Sequence, residues 1–135
     1  MQFQIAMLGI LRAGFVVVNV NPLYTARELE HQLRDSGANI LVVLENFAHV
    51  YHEIAAQAPM KKVIVTSLGG SIGPKGVIVN LIARHIKKIV PHWDFPCIKF
   101  NAALNIVTSF SDMVGIFGLG EAKGDFAVAI AVALG

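Results

Sequence analysis

The sequence predicts an α/β fold built on a parallel sheet. Within the first 68 residues, stretches with helical apolar spacing alternate with short β-branched runs. The runs lack apolar/polar alternation, which predicts strands covered on both faces. The intervening helices of about ten residues are long enough to cross between parallel neighbours.

The elements follow in order. Phe3, Met7, Ile10 and Leu11 recur at helical spacing and Ile5 and Leu8 fill the other side, so the first helix is apolar almost all round and is expected to be buried. Gly14 can end it in a left-handed cap. Residues 15–20 form a β-branched run, broken by Asn21-Pro22. Thr25-Ala26-Arg27-Glu28 reads as a capping box: the Thr25 hydroxyl accepts from the Glu28 amide while the Glu28 carboxylate reaches back. Ala26, Leu29 and Leu33 make the apolar stripe of that second helix, and Ser36-Gly37 closes it. A second buried strand is predicted at 40–44. Asn46 is expected to cap a third helix whose inward face is Phe47, Val50, Tyr51, Ile54 and Ala58. Pro59 lies past its end, and a third strand follows at 63–66. A Gly/Ser/Pro loop at 68–76 leads to a helical pattern at 77–90, with Ile78, Ile82, Ile86 and Ile89 on one side and Asn80, Arg84, Lys87 and Lys88 on the other. Pro91 and Pro96 punctuate the chain before a short run at 97–100. From Asn105 onward periodicity is weak, and 126–134 is rich in Ala and Val.

Composition narrows the function classes. Of 135 residues, 55% are apolar and only 15% charged, against about 25% charged in an ordinary domain. That excludes disorder and predicts either a covering partner or a piece of a larger body. The net charge of +2 is too weak to imply a nucleic-acid partner. No uncharged run reaches the roughly 18 residues of a membrane span. The apolar start lacks the basic region of a secretory leader, and the single cysteine, Cys97, fits a reducing cytoplasm.

Four patterns invite chemistry. Gly69-Gly70-Ser71-Ile72-Gly73 matches the nucleophile elbow, but Gly73-Pro74 delays the helix that should follow, and the acid and histidine do not occur in hydrolase order. His49 and His52 sit at i, i+3 without a third ligand, which reads as two helix-surface histidines. Gly118-Leu119-Gly120 opens a phosphate-loop pattern whose third glycine position is Lys123. Lys75, Arg84, Lys87, Lys88 and Lys99 stand against Asp94 alone between residues 75 and 100. Arg84, Lys87 and Lys88 are therefore candidates for contact with an anionic membrane surface; the plainer reading is the solvated face of a packed helix.

The run Leu11-Arg12-Ala13-Gly14-Phe15-Val16-Val17-Val18-Asn19-Val20-Asn21-Pro22-Leu23-Tyr24-Thr25, with Arg27-Glu28-Leu29-Glu30-His31-Gln32-Leu33 and Ser36-Gly37-Ala38 after it, resembles the acyl-adenylate-forming, AMP-binding enzymes. Within them it is similar to the bacterial long-chain fatty acid–CoA ligases, as are Glu45-Asn46-Phe47-Ala48, Lys62-Val63-Ile64-Val65-Thr66 and the stretch from Asn80 through Pro91. The resemblance covers residues 1–104. It implies a partial parallel-sheet subdomain, Rossmann-like or flavodoxin-like, of the large N-terminal domain. The implied parent activity joins a fatty acid to coenzyme A through an acyl-adenylate, using ATP and Mg²⁺ and releasing AMP and pyrophosphate.

The matching stretch is the family's sheet-building part. Its Tyr-Thr-Gly-Gly-Thr-Thr-Gly phosphate loop, expected soon after Leu104, does not occur; nor do its aromatic-Gly-x-Thr-Glu motif, ribose-binding aspartate and catalytic lysine. No catalytic, cofactor-binding or metal-binding role therefore passes to any residue here. The expectation is a fragment that is inactive alone and binds none of these cofactors. Residues 1–104 would be family sequence lacking some upstream residues, and 105–135 an unrelated tail, frameshifted or disordered. The implied setting is cytoplasmic, peripheral to the inner membrane. The alternatives are a small lipid-binding module and a partner-dependent interaction protein.

Overall fold

A computed structural model describes residues 2–12, 14–67, 91–106 and 127–131. The chain order is α1 (Gln2–Arg12), β1 (Val16–Val20), α2 (Ala26–Ser36), β2 (Ala38–Leu44), α3 (Ala48–Ile54), β3 (Lys62–Thr66), β4 (Ile98–Lys99), α4 (Phe100–Ile106) and β5 (Ala127–Ala131). The strands form one sheet in the order β1-β5-β2-β3-β4, and every pairing is parallel.

Strand β2 explains the absence of polar alternation. Leu41 and Val43 pack with Val63 and Val65 of β3 against Leu29 and Leu33 of α2 and Tyr51 and Ile54 of α3. Ile40 and Val42 join Ile64 in a second cluster with Ile10 of α1 and Phe100 of α4. Successive strand side chains point to opposite faces, so a strand covered on both sides needs apolar residues at every position. The result is three layers, with α2 and α3 on one face and α1 and α4 on the other.

The caps are local consequences of sequence. At the start of α2, Glu28 Oε2 accepts from the Thr25 backbone N–H (2.9 Å) and hydroxyl (2.8 Å), while the Glu28 N–H donates to Thr25 Oγ1 (3.4 Å). Gly37 ends the helix at φ 64°, in the left-handed region, and its N–H donates to the Arg34 carbonyl. Gly14 ends α1 in the same region at φ 80°.

Three expectations need correction. Helix α1 is apolar all round yet half exposed: Phe3, Ala6, Met7 and Ile10 face the sheet, whereas Ile5, Leu8 and Leu11 face outward. Strand β1 is only partly covered: Val20 is buried, Val18 and Val17 are half-buried against the first and second cluster respectively, and Val16 and Asn19 are exposed. It lies at the end of the sheet, and among the described residues it pairs with β5 alone. Asn46 does not cap α3. The Phe47 N–H closes a turn onto the Leu44 carbonyl (2.9 Å), so Phe47 takes the cap position without a side-chain bond. Residues 127–131 form a strand between β1 and β2. An uncharged Ala/Val/Ile run suits that doubly flanked slot. The 77–90 helical pattern lies outside the described residues.

Candidate functional site

In a parallel sheet, ligands bind beyond the carboxyl ends of the strands, where the loops diverge. Here the ends of β2 and β3 open onto a cleft of about 270 Å³, lined by residues that include Glu45, Ser67, Trp93, Cys97, Lys99 and Asn101. Its position follows from chain geometry. Glu45 follows β2 directly and its N–H donates to the Thr66 carbonyl (2.9 Å), tying the ends of β2 and β3 together. Lys99 closes β4, and Asn101 lies in the first turn of α4.

The segment 93–95, whose Trp93 lines the cleft, is held by aromatic contacts. Phe95 meets Tyr51 of α3 edge-on (5.2 Å between centroids, 88°) and stacks on Trp93 (4.9 Å, 27°). The Asp94 N–H donates to His52 Nδ1 (3.4 Å). Tyr51 is anchored in turn, its hydroxyl oxygen accepting from the Met60 N–H (3.1 Å).

The electrostatics are specific. Glu45 is fully buried, as is Thr66 but for a trace. Thr66 Oγ1 and Asn46 Oδ1 are buried at the same strand ends with no hydrogen-bond partner. Burial pushes the Cys97 thiol up, and the nearby Lys99 ammonium offsets this only in part. At neutral pH the group is a thiol, which is a poor nucleophile.

That donor set does not fit a nucleotide triphosphate. Phosphate sites are built from convergent backbone amides and cations. Among its described lining residues this cleft has one lysine, Lys99, beside Glu45, which is not the convergent set of cations that a polyphosphate needs. No step of adenylate chemistry is derived through it.

Of the residues singled out in the sequence, Cys97 and Lys99 line the cleft, and His49 and His52 lie on α3 outside its lining. His49 sits in the first turn of α3, where its Nδ1 can donate to the Asn46 carbonyl (3.0 Å). His52 is exposed on the same helix and stacks loosely on Phe95 (6.4 Å). Among the described residues, no three His, Cys, Asp or Glu side chains gather as a metal site. Ser71 with its flanking glycines, the basic residues Arg84, Lys87 and Lys88, and the Gly118–120 pattern lie outside the described residues. Among the described residues, no helix is long and apolar enough to cross a membrane. Sequence reasoning passed over Glu45, Ser67 and Asn101. The signal available for the first two was position alone, immediately after predicted parallel strands.

Comparison with known proteins places this architecture. The chain is 47% identical over 107 residues to the long-chain-fatty-acid–CoA ligase of Escherichia coli O6:H1, covering 78% of this chain and 19% of that protein. The ligase of the same name from Bacillus subtilis is 32% identical over 84 residues, covering 62% of this chain and 15% of its own length. A 4-hydroxybenzoate–CoA/benzoate–CoA ligase from Rhodopseudomonas palustris is 32% identical over 81 residues, with coverage of 60% and 15%. The chain thus spans about a fifth or less of the curated relatives it matches. No solved structure matches it. Residues 1–91 match the family described as AMP-binding enzyme, and with its parallel sheet and two-sided core the chain belongs to that family.

Proposed function

We propose that this chain is the sheet-building part of the N-terminal domain of a long-chain fatty acid–CoA ligase, and that alone it does not form acyl-adenylate. The parent reaction consumes ATP, a fatty acid and coenzyme A, with Mg²⁺, and yields acyl-CoA, AMP and pyrophosphate. The supporting observation is the pairing of 47% identity with 19% coverage of the Escherichia coli ligase. Acyl-adenylate formation needs preorganised donors around the phosphates, and among the described residues lining the cleft Lys99 is the one lysine. The test is fatty-acid-dependent exchange of labelled pyrophosphate into ATP by the purified chain. No exchange is expected, and measurable exchange would overturn the proposal.

The proposed boundary falls after Leu104, with 105–135 drawn from another frame or origin. It is a boundary in sequence ancestry rather than in fold, since β5 lies beyond it. Reading the coding DNA in all three frames tests it: a shifted frame that restores the Thr/Gly-rich phosphate loop is the expected result.

For placement in the cell we propose the cytoplasmic face of the inner membrane, with Arg84, Lys87 and Lys88 toward anionic headgroups. The support is the clustering of cations between residues 75 and 100, each contributing about 1 kcal/mol near such a surface. Sedimentation with anionic vesicles should show binding that salt weakens; equal binding to neutral vesicles counts against it.

A further inference from the structure

We infer that the β1 end of the sheet, with the outer face of α1, is the seam along which this chain packs onto the remainder of a ligase domain. The inference rests on the family reading above. Ile5, Leu8 and Leu11 are at helical spacing on the outer face of α1, with Leu8 61% and Leu11 53% exposed. Val16, the first residue of β1, is 57% exposed. The same helix already buries its opposite face through Phe3, Ala6, Met7 and Ile10, so the outward stripe is a second apolar face on one helix. A helix apolar all round belongs between two layers, and among the described residues one layer packs on it. Strand β1 carries the same message. It is an uncharged Val-Val-Val-Asn-Val edge, without the lysine, proline or bulge by which exposed edges are guarded.

The occupant follows from extent. Residues 1–91, which include both elements, match the family, while some four-fifths of the Escherichia coli relative lies outside the matched stretch. The ligase remainder therefore supplies the strand and apolar layer that this end of the sheet calls for. A lipid surface fits less well, because the only cation on α1 is Arg12 in its last turn and an interfacial helix carries a basic rim.

Two parallel arms test the seam. In the full chain, Leu8→Lys with Leu11→Lys should leave the melting midpoint within about 3 °C, as exposed sites do, whereas Leu8→Met is neutral. In the Escherichia coli ligase, carrying residues 1–91 of this chain in place of its own matching stretch, the same pair should cut soluble yield about tenfold. Leu8→Met should preserve yield and activity there. A chimera with unsubstituted residues 1–91 that never accumulates in soluble form would overturn the family reading and the seam with it. A soluble, active chimera indifferent to the lysine pair would overturn the seam alone. So would a discrete dimer of the full chain, or its binding to neutral vesicles, that the lysine pair abolishes.

Discussion

Thr25 and Glu28 form a reciprocal polar contact of three hydrogen bonds, and its pH dependence follows from them. The Thr25 backbone N–H, and after it the Thr25 hydroxyl, hold the Glu28 carboxyl below its ordinary value of 4.5. The folded state then binds that proton more weakly than the unfolded state. The contribution of the cap is fully present above about pH 4.5 and is lost as pH falls through the lower folded value. Urea unfolding at pH 6 and pH 3 should show this as an acid-labile component that Glu28→Gln removes. Thr25→Ala should cost about 1 kcal/mol at neutral pH. Tyr51 has the opposite sign: burial raises its phenol, outweighing the Met60 amide bond that lowers it. Its contribution is complete below about pH 10 and is lost as pH rises through the higher folded value. Tyr51→Phe should abolish that alkaline loss while leaving the Met60 N–H without its acceptor, at about 1 kcal/mol. The capping box was legible because it needs two residues at fixed spacing. The role of Tyr51 was half legible: its inward position follows from helical spacing, but its bond to Met60 is made by the chain turning back after α3.

Among the elements, the strands show which part of sequence grammar carries over. Leu41 is fully buried at the centre of β2, and Leu41→Ala should cost about 2–5 kcal/mol. In a domain this size that approaches the whole margin of stability, so loss of the cooperative unfolding transition is the expected readout. Unbroken apolar runs identified β2 and β3 correctly because both have neighbours on each side. The same pattern misled at β1 and α1, since periodicity reports which faces are apolar and not whether a partner is present to cover them. Asn46 misled for a related reason. Its residue type suits a cap, but the turn that bonds Phe47 to Leu44 shifts the helix start by one position. The segment 93–95 had no legible assignment at all, being placed by contacts with a helix some forty residues earlier. Trp93 is the single tryptophan and reports on that contact. Phe95→Ala should red-shift its emission and weaken the segment's attachment by about 1–2 kcal/mol; unchanged emission would show that the aromatic stack does not hold it.

At the scale of the whole molecule, the parallel sheet and its two-sided core were readable from residues 1–67, because alternating helices and buried strands leave few topologies open. The place of β5 was not readable. A strand enters a parallel sheet wherever two neighbours leave a slot, and nothing in Ala127–Ala131 names β1 and β2 as its partners. The cleft was legible only as a location, at the ends of strands; its composition emerged once Lys99 and Asn101 came to lie near Glu45. The chain keeps a framework of the family and places Glu45 directly after β2, where the strands end. The most direct test is the urea unfolding midpoint of the purified chain with and without millimolar ATP–Mg²⁺. No shift is the result expected. Stabilisation by about 2.7 kcal/mol, the amount for a ligand at a hundred times its Kd, would mean that the chain carries a nucleotide site of its own and would contradict this account.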